Sequence, residues 1–106
     1  MGKLVDLKAK PYNLNDDAIK WVENTIASMT DEEKVGQLFT NLFFFGKDQF
    51  SGNTLTNKEI LEKYHIGGAR YQGGSAKQVQ ELINSLQKDS KIPLLVAANC
   101  DAGGNG

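Results

Sequence analysis

The 106-residue sequence has one cysteine (Cys100), one histidine (His65), two prolines and a single tryptophan. A lone cysteine excludes an internal disulfide and is compatible with a reducing compartment. No cluster of Cys, His, Asp and Glu stands at metal-ligand spacing, so no metal is expected. A nucleotide cofactor is not expected either. Gly103-Gly104-Asn105-Gly106 lacks both the G-x-G-x-x-G spacing and the Walker lysine, and Gly67-Gly68 with Gly73-Gly74 does no better. Charge of one sign is also missing: twelve basic and thirteen acidic residues leave a net charge of −1. That balance gives no footprint for nucleic acid or an anionic membrane. No apolar run is long enough to span a bilayer. The first ten residues carry charges where a signal peptide would be apolar. Met1-Gly2 superficially invites myristoylation, but Asp6 stands where that motif wants Ser or Thr. The expected location is cytoplasmic, with neither a nucleic-acid nor a membrane partner.

What the sequence does contain is an ordinary globular composition, 40% hydrophobic and 24% charged, and three capping boxes. Residues 1–14 read as an extended lead-in, broken by Pro11 and Asn13, with Leu4, Val5 and Leu7 packing on the body of the fold. Ile19, Trp21, Val22, Ile26 and Met29 then recur at helical spacing, predicting a helix over about 16–28 capped by Asn15 or Asp16. Thr30-Asp31-Glu32-Glu33 has the form of a capping box and predicts a helix over about 31–39. The run Leu42-Phe43-Phe44-Phe45 is read as core or interface. After a loop over 46–53, Thr56-Asn57-Lys58-Glu59 is a second capping box, opening a short helix with Ile60, Leu61 and Tyr64. His65 falls at the carboxyl end of that helix, where capping is its expected role.

From Ile66 onward the order is strand, glycine turn, amphipathic helix, proline, strand. Ser75-Ala76-Lys77-Gln78 is a third capping box. Val79, Leu82, Ile83 and Leu86 follow at i, i+3, i+4 and i+7, predicting a helix over about 76–89. Pro93 precedes Leu94-Leu95-Val96-Ala97-Ala98, a strand apolar on both faces, as in a parallel sheet covered on both sides. Together these make one βαβ unit with a right-handed crossover. Ligands of α/β folds bind beyond the carboxyl ends of parallel strands. Asn99 and Asp101 share the strand phase of Leu95 and Ala97 and stand at that end. An amide and a carboxylate so placed can bind sugar hydroxyls in pairs; equally, the two residues can start a turn before Gly103-Gly104. Cys100 falls in the opposite phase, where a packed and inert thiol is expected.

Two stretches carry a family resemblance. Met29-Thr30-Asp31-Glu32-Glu33-Lys34-Val35-Gly36-Gln37-Leu38-Phe39 resembles the M-T-x-E-E-K-[IV]-G-Q-L segment that opens glycoside hydrolase family 3 enzymes. Ile66-Gly67-Gly68, then Ile83-Asn84-Ser85-Leu86-Gln87, then Ile92-Pro93-Leu94-Leu95-Val96-Ala97 resembles the first strand, helix and second strand of that family's catalytic domain. The resemblance implies a (β/α)₈ TIM-type barrel, incomplete in this chain, from an enzyme that hydrolyses terminal β-linked sugars with retention. The family includes β-glucosidases and β-N-acetylhexosaminidases. Its second strand usually ends in D-x-E-G-G, whose aspartate holds the sugar. Here Asn99 takes the aspartate position and Asp101 the glutamate position, so an uncharged amide replaces a carboxylate.

The resulting expectation is an α/β chain: a lead-in over about 1–15, a helical segment over 16–65, and a first strand-helix-strand over 66–106. Asn99 and Asp101 are its candidate substrate-binding residues. No catalytic residue is assigned, because the family's nucleophile and acid/base follow later strands. The expected partners are a carbohydrate substrate and the remainder of a parent protein. Two parallel strands cannot close a barrel, and their open edges invite self-association. The alternative is a non-catalytic structural or carbohydrate-binding module from a truncated chain.

Overall fold

The computed structural model describes residues 5–43, 55–71 and 74–98. The chain divides into two units, Met1–Thr30 and Asp31–Gly106.

In the first unit the lead-in is hooked rather than extended. Ala9 accepts from the amides of Tyr12 and Asn13, and the Leu14 amide donates back to the Leu7 carbonyl at 3.0 Å. Asn13 adopts positive φ, which an Asx side chain tolerates. Val5, expected to pack, is 46% exposed. Helix α1, Asp16–Ser28, starts where the sequence predicts. Asn15 is its cap, accepting from the Ala18 amide at 2.9 Å, with Asp16 and Asp17 in the first turn. Its apolar stripe is incompletely covered: Trp21 and Ile26 are more than half exposed.

The second unit holds α2 (Asp31–Gly36), β1 (Thr40–Phe43), α3 (Asn57–Tyr64), β2 (Gly68–Tyr71), α4 (Ala76–Asp89) and β3 (Leu95–Ala97). Two predicted capping boxes form. Thr56 and Glu59 exchange bonds at the start of α3, and Ser75 and Gln78 do so at the start of α4. Each satisfies two amides that a helix start leaves without an intrahelical partner.

The sheet departs from expectation. It has three parallel strands in the order β1-β2-β3, not two. The additional strand, Thr-Asn-Leu-Phe, begins just after the stretch predicted as the second helix. That helix ends at Gly36. The amides of Leu38 and Phe39 bond back three residues to the Val35 and Gly36 carbonyls, the tight winding that closes a helix. Gly36 is required there. A Cβ on it would meet the backbone of Tyr64 and lie 2.6 Å from the His65 carbonyl oxygen.

Residue alternation separates two faces. Phe43 and Ala69, each 1% exposed, lie on the face packed by Ile60 and Leu61 of α3 and by Leu82 and Leu86 of α4. Each such fully buried Leu or Phe contributes about 1.5–3 kcal/mol. Of the aromatic run, Phe43 is core, while Phe44 and Phe45 lie outside the described residues. Among the described residues no helix is long and apolar enough to cross a membrane.

Candidate functional site

Parallel strands point their carboxyl ends to one edge, and here that edge is formed by Phe43, Tyr71 and Ala97. Asn99, Cys100 and Asp101 lie outside the described residues. What the structure places at the edge is the last turn of side chains before them.

Register pairs Thr40 with Gly68 and Gly68 with Leu95, then Leu42 with Arg70 and Arg70 with Ala97. Paired residues share a face, and this is the face opposite Ala69. Among the described residues of this unit no helix packs on it: Leu95 is 82% exposed, and Thr40, Arg70 and Ala97 are exposed. Among the described residues Leu94–Ala98 is thus covered on one side, where the sequence expects cover on both. Helices α3 and α4 pack on the other face, and among the described residues β3 is the outer strand, so even Val96 on the packed face is 39% exposed.

Arg70 was passed over in reading the sequence. It is the chain's single arginine, and it stands next to last in the central strand. The signal was available, since Arg70 alternates with buried Ala69, but two glycines before it obscured the strand's phase.

Two open hollows lie at the other edge. A hollow of about 180 Å³ is lined by Glu33, Gln37, His65, Ile66 and Lys91 among others. A broader one of about 640 Å³ is lined by Val35, Phe39, Tyr64 and their neighbours. Both sit beside the amino ends of the strands, away from the edge where ligands of this architecture bind. Two polar pairs in the smaller hollow are engaged with one another. Gln37 Nε2 donates to the His65 carbonyl at 2.8 Å, and Lys91 Nζ lies 2.6 Å from Glu33 Oε1. Glu33 is 8% exposed. His65 caps α3 in the left-handed conformation, φ 52°, its amide donating to the Leu61 carbonyl at 3.0 Å. This edge ties the connections together. Among the described residues no group of three His, Cys, Asp or Glu side chains could hold a metal ion.

The motif residues explain one another at this edge. The Gly67 amide donates to the Gly36 carbonyl at 3.2 Å, and the Gly68 amide to the Phe39 carbonyl at 3.1 Å. A Cβ on Gly67 would lie 2.7 Å from Gln37 Cα. The G-Q-L and I-G-G stretches are thus two halves of a single backbone crossing.

Comparison with known proteins places this arrangement. The chain matches no protein-family model. It is 32% identical over 100 residues to a β-N-acetylglucosaminidase/β-glucosidase of Cellulomonas fimi, covering 94% of this chain and 17% of that protein. Two solved structures of the β-glucoside phosphorylase BglX are 37% identical to it. They superpose with TM-scores of 0.72 and 0.76, the latter for the enzyme bound to 2FGlc, over 94% of this chain. The chain spans 16–17% of the length of these relatives.

Proposed function

Because the chain belongs to glycoside hydrolase family 3 along the 94% of its length that aligns, we propose that it forms the opening helices and strands of a (β/α)₈-type barrel in an enzyme acting on terminal β-linked sugars. The preferred substrates are β-glucosides or β-N-acetylhexosaminides. The observation that carries this reading is the 32% identity to the Cellulomonas fimi enzyme across 100 residues. The sheet supports it: α3 and α4 pack on one face and the other is exposed, as in an arc of barrel wall before closure.

In this reading Asn99 and Asp101 bind substrate hydroxyls at the barrel mouth, the amide as donor and acceptor and the carboxylate as acceptor. Cleavage with retention needs a nucleophilic carboxylate and an acid/base about 5 Å apart. The family places both after later strands, so the 106 residues alone are expected to cleave nothing. The full-length protein carrying this chain is expected to release nitrophenol from nitrophenyl β-glucoside or β-N-acetylglucosaminide. Failure on both sugars removes the proposal, and turnover by the isolated 106-residue chain removes the claim that it lacks catalytic groups. Should the chain instead be a carbohydrate-binding module, calorimetry of the isolated chain will show saturable binding of glucose or N-acetylglucosamine.

A second reading concerns the acceptor. The two BglX structures, at 37% identity, are of a phosphorylase. Transfer of the glycosyl group to phosphate instead of water is then the competing chemistry. Detection of a glycosyl phosphate product distinguishes the two.

A further inference from the structure

Arg70 sits mid-sheet, flanked in register by Leu42 and Ala97 on the face that carries no helices among the described residues of this unit. It is exposed there. Lys8, Lys34, Lys58, Lys77 and Lys91 each face a carboxylate; Arg70, like Lys10, Lys20, Lys63 and Lys88, faces none among the described residues, but it alone of these stands within the sheet. A guanidinium is always charged, and its planar fork of donors fits the oxygens of phosphate or carboxylate. Barrel interiors are normally filled by bulky aliphatic side chains. A cation enclosed among them needs an anion, and Leu42 and Ala97 offer none.

We propose that Arg70 is an anion-binding residue of the glycoside site and that the anion it receives is the phosphate acceptor. This rests on the phosphorolytic reading. In that chemistry one oxygen of HPO₄²⁻ attacks the anomeric carbon of the glycosyl-enzyme ester. The new C–O bond to phosphate replaces the C–O bond to the enzyme carboxylate, which leaves as its anion. The total charge of −2 is conserved: the glycosyl phosphate forms as a monoanion and the carboxylate stays on the enzyme as an anion, with no redox change and no proton to remove from the nucleophile. Water, the competing acceptor, must lose a proton and carries no charge for a guanidinium to recognise. An arginine in the pocket wall therefore selects phosphate over water.

The test uses the full-length protein, its Arg70→Met variant and its Arg70→Lys variant, with circular dichroism confirming that all three fold. Calorimetric titration with inorganic phosphate is expected to show saturable binding by the native protein. Arg70→Met should weaken it at least tenfold, with the KM for phosphate rising in parallel. Arg70→Lys should fall between, keeping the charge but not the fork. Equal phosphate affinity in native and Arg70→Met proteins, with glycosyl phosphate still formed, overturns the assignment while leaving phosphorolysis standing. Absence of glycosyl phosphate from the native protein overturns phosphorolysis and the assignment with it. Arg70-dependent binding of a glucuronide without any binding of phosphate also overturns the assignment, transferring the anion site to the substrate.

Discussion

The side chain of Gln87 holds Leu94 by both of its peptide groups. The Leu94 amide donates to Gln87 Oε1 at 2.9 Å, and Gln87 Nε2 donates to the Leu94 carbonyl at 3.0 Å. The pair of bonds imitates a neighbouring strand. It fixes the last turn of α4 to the start of β3 and seats Leu94, 5% exposed, in the core. One residue later the Leu95 amide donates to the Gly67 carbonyl at 3.0 Å, and the parallel ladder with β2 begins.

Replacing Gln87 with Ala removes both partners while Leu94 stays buried. The expected cost is about 1–3 kcal/mol, because a buried peptide group without a partner loses its hydration uncompensated. Gln87→Glu should be worse than its near-identical shape implies, since it turns a donor toward a carbonyl into a repelling oxygen. Amide hydrogen exchange at Leu94 and Leu95 reads the effect directly. Unchanged protection in both variants would show that the clasp contributes nothing.

Gly36→Ala and Gly67→Ala should each destabilise the crossing of α2 with the turn before β2 by about 1–3 kcal/mol, the usual cost of forcing atoms into a packed site. In both cases the added carbon meets backbone, Tyr64 and His65 for the first and Gln37 for the second. Backbone cannot rotate away as a side chain would. The two substitutions strain the same crossing, so the double variant should cost less than the sum of the singles. Strict additivity in thermal or denaturant unfolding would argue that the two glycines act separately.

Local signals and the family motif accounted for much of this fold, and the exceptions have physical causes. Helix α4 was legible to its ends because Ser75, the Val79–Leu86 spacing and Gln78 all specify the same helix. Strand β1 was not. Its four residues run into an apolar aromatic stretch, and so short a run has no period to separate strand from helix. The Thr30–Glu33 pattern carried the predicted helix to residue 39, three residues past its end at Gly36, and the run after it was read only as core or interface. Tertiary contact is felt at the boundary: Gly36, the last residue of α2, lies so close to the Tyr64 and His65 carbonyls that no side chain fits there. Of the candidate site, the strand phase of Leu95 and Ala97 was legible and holds. Arg70 was hidden by its glycine neighbours, and Asn99 and Asp101 fall beyond the described residues.

Lys91 and Glu33 join the loop after α4 to the first turn of α2, with Nζ and Oε1 2.6 Å apart. The carboxylate side is 11% exposed and the ammonium side 63%. Lys91→Met should therefore cost about 1–2 kcal/mol, between the values for exposed and fully buried pairs. Lys91→Arg should recover most of it. Added salt should reduce the difference between native and Lys91→Met only slightly, as the carboxylate is shielded from solvent ions. A difference that vanishes at moderate salt would place the pair among ordinary surface contacts.

Lys8 and Asp16 make a different kind of pair, 2.7 Å apart and open to solvent. The hydrogen bond from Lys8, and then its charge, hold the Asp16 carboxyl below its ordinary 3.8. The same bond and charge raise Lys8 above 10.5. The signs follow by linkage. A lowered carboxyl pKa favours the folded unit above pH 3.8, and that contribution is lost as pH falls through the lowered folded value. A raised lysine pKa contributes below pH 10.5, and that contribution is lost as pH rises through the folded value. Near neutral pH both are fully present, so the pair is invisible in a mid-range pH scan of stability. It becomes visible in an NMR titration of the Asp16 carboxyl carbon. In Lys8→Met the midpoint should move up toward 3.8, and in the native protein high salt should move it the same way. A midpoint indifferent to both changes would mean that the helix start, and not Lys8, sets the acidity of Asp16.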